Sequence, residues 1–271
     1  MINFIIHTFK RFAWFKRLNA KVTYELLASK IPASEWQFMN YGYVPLPNEA
    51  TDLDLKDYAQ RHPLQMYHYL AAKGNLQGKN VLEVGSGRGG GARHVASYFK
   101  PAQYTGLDLA SSAVKLCNEL HKLPNLRFVQ GSAESLPVAD ASVDVVMNVE
   151  SSHAYGSVTQ FLSEVKRVLK PGGHFLMVDF RSNENIETIE TLKQQLRDTG
   201  LQVISEEDIT ANVIQSIEEE DGAKKARIAQ LVPPKWHKLF GDFAGVVGSR
   251  FYNTLKNGSR QYYRFVLQKP L

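Results

Sequence analysis

A run near the first third of the chain, Val81-Leu-Glu-Val-Gly-Ser-Gly-Arg-Gly-Gly90, joins one acid to closely spaced glycines. Glycines at 85, 87 and 89 let a backbone turn tightly and approach a ligand closely. The spacing fits two ligand classes. Gly85, Gly87 and Gly90 match the G-x-G-x-x-G of dinucleotide loops, whereas Glu83, Gly85, Gly87 and Gly89 match the E-x-G-x-G-x-G of S-adenosylmethionine sites. Glu83 tips the balance, because a carboxylate facing a diphosphate would be repelled. It can instead attract the ammonium of a methionine moiety or hold the loop's amides. Further on, Asp108 closes "YTGLDL" and can accept hydrogen bonds from both ribose hydroxyls. Leu109 offers an apolar face to adenine, and the polar turn "GSAESLP" can meet the edge of the base. The set favours adenosylmethionine.

A sulfonium is already an activated donor, so the remaining requirement is a nucleophile held in line that can lose its proton. The stretch "NVESSHAYGS" carries Glu150, His153 and Tyr155, and "MVDFR" carries Asp179. Histidine suits a general base because its pKa lies near neutrality. A carboxylate beside it can fix its tautomer and stabilise its charged form. His153 and Asp179 are therefore the candidate catalytic pair; Glu150 and Tyr155 are candidate substrate contacts. His62, His68, His94, His121, His174 and His237 have no partner pattern and read as structural. No His, Cys or carboxylate spacing suggests a metal site.

These residues need elements to position them. From about residue 78, short apolar runs ("NVLEVG", "QYTGLDL", "LRFVQG", "VDVVMNV", "HFLMVDF") alternate with amphipathic stretches ("ARHVASYFK", "SSAVKLCNELHK", "VTQFLSEVKRVLK"). Such alternation predicts βαβ crossovers and a parallel sheet covered on both faces. Ligands of such sheets bind beyond the carboxyl ends of the strands, where every candidate above falls. Ser111 and Ser112 are expected to cap one helix, and Pro171-Gly172-Gly173 to end the next. The mixed interval 208–258 is too long for a connector and reads as a helical cap that sets substrate choice, with Trp236 and Phe240 among its aromatic residues. "FMNYGY" and "YAQRHPLQMYHYL" read as a lid, with Tyr41, Tyr43 and Gln65 as candidate cofactor contacts. The expected division is an N-terminal helical lid (1–75), a cofactor-binding core (76–207), a cap (208–258) and a last core strand (259–271).

Composition bounds the partners. The chain has 271 residues, a net charge of +5 and one cysteine, Cys117, which cannot form an internal disulfide and fits a reducing, cytoplasmic setting. Residues 1–30 hold six of the basic residues and one acid, so the rest of the chain is neutral. A neutral body argues against a nucleic-acid binder. The basic, aromatic N-terminus reads either as a helix over the active site or as an interfacial helix touching anionic lipid. No run approaches the ~20 apolar residues needed to span a bilayer.

From about 78 to 181 the chain resembles the class I S-adenosylmethionine-dependent methyltransferases, on "VLEVGSGRGG", "GLDLA", "GSAESLPVADASVDVV" and "RVLKPGGHFLMVDF" in order. The resemblance implies a Rossmann-like, doubly wound α/β fold, a seven-stranded sheet of order 3-2-1-4-5-7-6 with strand 7 antiparallel, supplied by "QYYRFVLQ". It implies that Glu83, Gly85, Gly87 and Gly89 line the methionine portion, Asp108 holds the ribose and Leu109 stacks on adenine. Ala133 and Glu134 would flank the ring, and Asn148 would lie at the mouth of strand 4. Ser132 stands where relatives usually carry Asp, which leaves the contact to the adenine amino group in question. "WQFMNYGY", "VESSHAYGS" and "VDFRS" are similar to methyltransferases of long-chain lipid diols and phenolic glycolipids, which implies methylation of a hydroxyl on a hydrophobic acceptor. Two other readings remain open: C-methylation of an isoprenoid, polyketide or quinone carbon, and a non-catalytic, membrane-associated cofactor binder.

Overall fold

A computed structural model describes residues 36–46, 53, 58–183 and 187–271. The candidate membrane segment 1–30 lies outside the described residues.

The strands are β1 (Asn80–Val84), β2 (Gln103–Asp108), β3 (Leu126–Gln130), β4 (Val143–Val149), β5 (Leu169–Ser182), β6 (Gln202–Asp208) and β7 (Arg260–Gln268). They form one sheet of order β3-β2-β1-β4-β5-β7-β6. The pairs from β3 to β5 are parallel, and β7 runs antiparallel to both β5 and β6. This is the topology expected, and "QYYRFVLQ" does supply the reversed strand. The order changes direction between β1 and β4, so the β1 and β4 tips open a crevice at the carboxyl edge.

Period-two alternation sorts the strand side chains onto two faces. Val81, Tyr104, Val145, Met147, Leu176 and Val266 share one core with α1 (Arg61–Ala71), α2 (Gly90–Tyr98) and α3 (Ser111–Leu120). Leu82, Val84, Val146, Phe175, Met177 and Phe265 share the other with α4 (Val158–Val168) and α5 (Ile189–Asp198). Helix α4 repeats buried Val158, Phe161, Leu162, Val165 and Val168 at helical spacing, and Ser157 caps it by accepting from the Gln160 amide. Helix α1, in the stretch expected to be a lid, is packed like a core helix: Met66, Leu70 and Ala71 are fully buried.

Two local expectations are corrected. Neither Ser111 nor Ser112 caps α3; Asp108 does the work two residues ahead, accepting from the Ala110 amide at 2.9 Å. Pro171-Gly172-Gly173 does not end α4, which stops at Val168. The chain enters β5 at Leu169, because Ala141 and Ser142 amides capture the Arg167 and Val168 carbonyls.

Between β6 and β7 the chain inserts α6 (Thr210–Leu231), a short turn, α7 (His237–Ala244) and α8 (Arg250–Lys256). Segment 36–46 runs under this insertion. Asn212 donates its side-chain amide to the Val44 carbonyl and Ser216 its hydroxyl to the Tyr41 carbonyl. Among the described residues no helix is long and apolar enough to cross a membrane.

Candidate active site

The crevice at the β1–β4 switch is a cleft of about 970 Å³, counting its open mouth. Its floor is the glycine loop, its walls are Leu107, Leu109, Ala133 and Val149, and its roof is segment 37–40 with Tyr67. Its mostly apolar lining with a few convergent polar groups suits a small ligand. Asp108 lines it from the tip of β2, with one oxygen accepting the Gly87 amide at 2.8 Å and the other the Ala110 amide. These bonds orient the carboxylate at the tip of β2. Leu109, Ser132, Ala133 and Glu134 line the same cleft, as the sequence led one to expect. The Ser132 hydroxyl accepts from the Glu134 amide, while Glu134 itself accepts from the Ser157 amide at 2.8 Å.

The three expected glycines divide by task. Gly85 and Gly87 line the cleft. Gly87, at φ +52°, faces open space, with only the Met39 sulfur at 3.6 Å from where a Cβ would stand. Gly89 faces the protein; a Cβ there would lie under 3 Å from His121, Phe128 and Cys117. Its role is packing, which explains why it does not line the cleft. Gly91, not singled out from the sequence, is equally constrained, because the Tyr67 ring lies 2.1 Å from a Cβ built there.

Glu83 stands apart from the cleft lining. It is fully buried. Its side chain turns toward the face covered by α1, where one oxygen accepts from Tyr67 at 2.8 Å and the other from Tyr104 at 2.9 Å. Burial raises its carboxyl to about 7 in spite of the two phenols. The acid thus ties α1 to the base of the loop, and nothing in this geometry offers it directly to an ammonium. Asn148 likewise lies outside that lining. It is buried behind the wall, donating to the Val84 carbonyl (2.9 Å), Ser151 (2.8 Å) and Tyr155 (3.0 Å).

Beyond β4, the short helical turn Ser152–Ala154 holds His153 over the end of β5. His153 Nδ1 lies 2.8 Å from Asp179, which is fully buried while the imidazole is 28% exposed. The other Asp179 oxygen accepts from the Ser152 hydroxyl (2.5 Å) and the His153 amide (3.1 Å), and Arg181 stands 3.2 Å away. Burial alone would neutralise Asp179, but His153, Arg181 and Ser152 together hold it well below the usual carboxylate range. An ionised Asp179 makes Nδ1 the donor, so the neutral imidazole carries its lone pair on Nε2. Phe180 packs on the imidazole with ring centroids 4.3 Å apart. Ser152 and Arg181 were within quoted motifs but had no spacing that marked them; the contact is tertiary.

Glu150 and Tyr155 both line the cleft. Glu150 sits at φ +47°, strained for a non-glycine residue, and accepts the Tyr41 amide at 3.0 Å. Burial, reinforced by the nearby Asp179 charge, raises its carboxyl to about 8. The Tyr155 phenol is held by Ser151 and Asn148, so it is a fixed wall and not a mobile acid. Four other expected contacts fall elsewhere. Tyr43 stacks on Tyr69 (4.1 Å) in the core, and Gln65 is buried on α1; neither lines the cleft. Trp236 is 46% exposed, and Phe240 packs on Ile228, Val232 and Ala244. Tyr41 stacks on Phe251 (3.8 Å) and lines a second, adjoining cleft under the cap. Among the described residues no group of three or more His, Cys, Asp or Glu could hold a metal ion.

Comparison with known proteins follows this geometry. Residues 82–177 match the family model described as a methyltransferase domain. Over 99% of its length the chain is 36% identical to a fatty-acid O-methyltransferase of Mycolicibacterium smegmatis, covering 98% of that protein. It is also 36% identical over 91% of its length to a phthiotriol/phenolphthiotriol dimycocerosates methyltransferase of Mycobacterium leprae, covering 90% of it. The chain belongs to the S-adenosylmethionine-dependent methyltransferases. The crystal structure of the [4+2]-cyclase SpnF shares the fold at TM-score 0.69 and 20% identity, covering 93% of this chain and 95% of that one. A cyclase on the same frame means that fold alone does not fix the reaction. As a methyltransferase, this chain must hold adenosylmethionine, and the cleft tests well for it. Oriented Asp108, apolar Leu109 and Ala133, and the buried Ser86 hydroxyl in the loop, which has no hydrogen-bond partner among the described residues, suit a polar nucleoside.

Proposed function

We propose that this methyltransferase moves a methyl group from S-adenosylmethionine to a hydroxyl oxygen of a hydrophobic, lipid-like acceptor, with His153 as general base and Asp179 as the residue that positions it. The supporting observation is the 2.8 Å contact between His153 Nδ1 and a fully buried Asp179; neither lines the cofactor cleft, but their chain neighbours Ser151 and Ala154 do. The bound cofactor supplies an electrophilic methyl group. Asp108 would hold the ribose hydroxyls, Leu109 and Ala133 would sandwich the base, and the glycine backbone at Gly85 and Gly87 would let the methionine portion lie close against the loop. Nε2 of His153 would take the acceptor's proton, and Asp179 would stabilise the imidazolium that results. Phe180 and the aromatic residues of segment 36–41 would keep water from the reacting atoms. The lipid-like acceptor draws support from the relatives named for fatty acids and phthiotriols.

The test is to supply methyl-labelled adenosylmethionine with long-chain alcohols, diols and phenols, then analyse products by mass and carbon resonance. A methoxy signal is expected. A methyl bonded to carbon, or no transfer to any hydroxylated lipid, would defeat the hydroxyl assignment.

A further inference from the structure

The second cleft lies between segment 36–41 and the inserted helices α6 and α7, and it shares Phe38, Met39 and Asn40 with the cofactor cleft, so the two adjoin. Trp36 and Phe243 contribute apolar wall at its rim, and Lys224 and Arg227 line it from α6. Lys224 is only 6% exposed, and among the described residues its ammonium has no hydrogen-bond partner closer than the 3.5 Å contact to Glu220. Its nearest anionic neighbour, Glu220, stands at 3.5 Å, and the Tyr41 ring lies 6.0 Å away. Burying an ammonium with such loose compensation is unfavourable. A folded protein retains such an arrangement most readily where a ligand completes it. Arg227, one helical turn along and half-buried over Trp36, adds a second cation on the same side.

We propose that Lys224 and Arg227 form an anion subsite for the carboxylate of a long-chain, amphiphilic acceptor, whose hydrocarbon lies along the apolar rim. This goes with the O-methyl transfer above and rests on it for the identity of the acceptor as a lipid-like molecule. The charges around the subsite fit the assignment. Glu220 and Glu150 are the carboxylates facing Lys224, and burial raises both, which weakens their competition for the ammonium. Lys224 itself is pushed down by burial, a cost that a ligand carboxylate would relieve.

Equilibrium binding, with adenosylhomocysteine present so that no turnover occurs, keeps this separate from the transfer reaction. The full chain is titrated with dodecanoate and, as the uncharged match, 1-dodecanol. The intact protein should prefer the acid. Lys224→Met should weaken dodecanoate by about ten- to hundredfold, as expected for losing a charge-assisted hydrogen bond, and leave dodecanol unchanged. Lys224→Arg should keep most of the preference. No preference for the acid, or equal weakening of acid and alcohol, would overturn the subsite and leave Lys224 as a partner of Glu220 only. If Lys224→Met loses adenosylhomocysteine binding and therefore its fold, Arg227→Gln decides: the preference should fall about threefold or more, and an unchanged preference overturns the proposal. Failure to methylate any hydroxylated lipid, with the acid preference intact, would instead count against the transfer reading alone.

Discussion

The two clefts are built by different means. Beneath its roof of 37–40 and Tyr67, the cofactor cleft is made mostly of backbone and short side chains at strand tips, within residues 84–91, 107–110, 131–134 and 149–155. The cap cleft joins residues 36–41 to 220–227 and 243–244, almost two hundred positions apart, and its polar groups are long side chains. Local turn geometry can specify the first. The second exists only because α6 packs over segment 36–46. A ligand common to a whole family can be held by the first kind of site, whereas an acceptor that differs between relatives needs side chains that can change without disturbing the turn.

This contrast can be broken at several points. The largest effect is expected at Asp108, which anchors the loop and is the proposed ribose contact. Asp108→Ala should reduce adenosylhomocysteine affinity to below detection by calorimetry, and retained binding would remove it from the site. His153→Ala should lower turnover about 10²- to 10⁴-fold while cofactor affinity stays intact. Adding Asp179→Asn to that variant should cost little more, because the two act as a unit; a full additive loss in rate assays would separate them. Gly91→Ala pushes a methyl group into the Tyr67 ring and should destabilise the fold by about 1–3 kcal/mol, read from urea midpoints. An unaltered midpoint would show that Tyr67 moves freely and is no roof.

The smallest effect concerns pH. Burial raises Glu83 to about 7 and Glu150 to about 8, above the ordinary 4.5. Folding therefore favours their protonated forms. Their contribution to stability is complete below about 4.5 and is lost as pH rises through 7 and 8. Thermal midpoints of Glu83→Gln and Glu150→Gln should fall less steeply between those limits than the parent's. Parallel curves would mean that neither acid is held neutral.

Much of the first region was legible in the chain. Alternating runs marked each strand from β1 to β5, and Asp108, Leu109 and the turn 131–134 came out lining the cleft because residues at strand tips share one edge by topology. His153 and Asp179 met for the same reason: β4 and β5 are neighbours, so residues just past their ends face each other. Glu83 lies outside the cleft lining because the motif gives its position along the strand, but its partners decide which way the carboxylate is satisfied. Tyr67 comes from another element and could not be read from spacing. Tyr43, Gln65, Trp236 and Phe240 missed for a related reason: aromatic or polar character in a segment near a site does not say which face of that segment turns inward.

By itself, the sequence determined the alternation of strands and helices and the glycine turn after β1, because these follow from short-range periodicity and from glycine's freedom at positive φ, while the strand order came with the family resemblance. Only the tertiary structure decided that Glu83 is a buried anchor, that Ser152 and Arg181 keep Asp179 ionised, and that Lys224 is left under-compensated beside an apolar rim. Those outcomes depend on desolvation and on partners brought from remote parts of the chain, and neither quantity exists until the chain has folded.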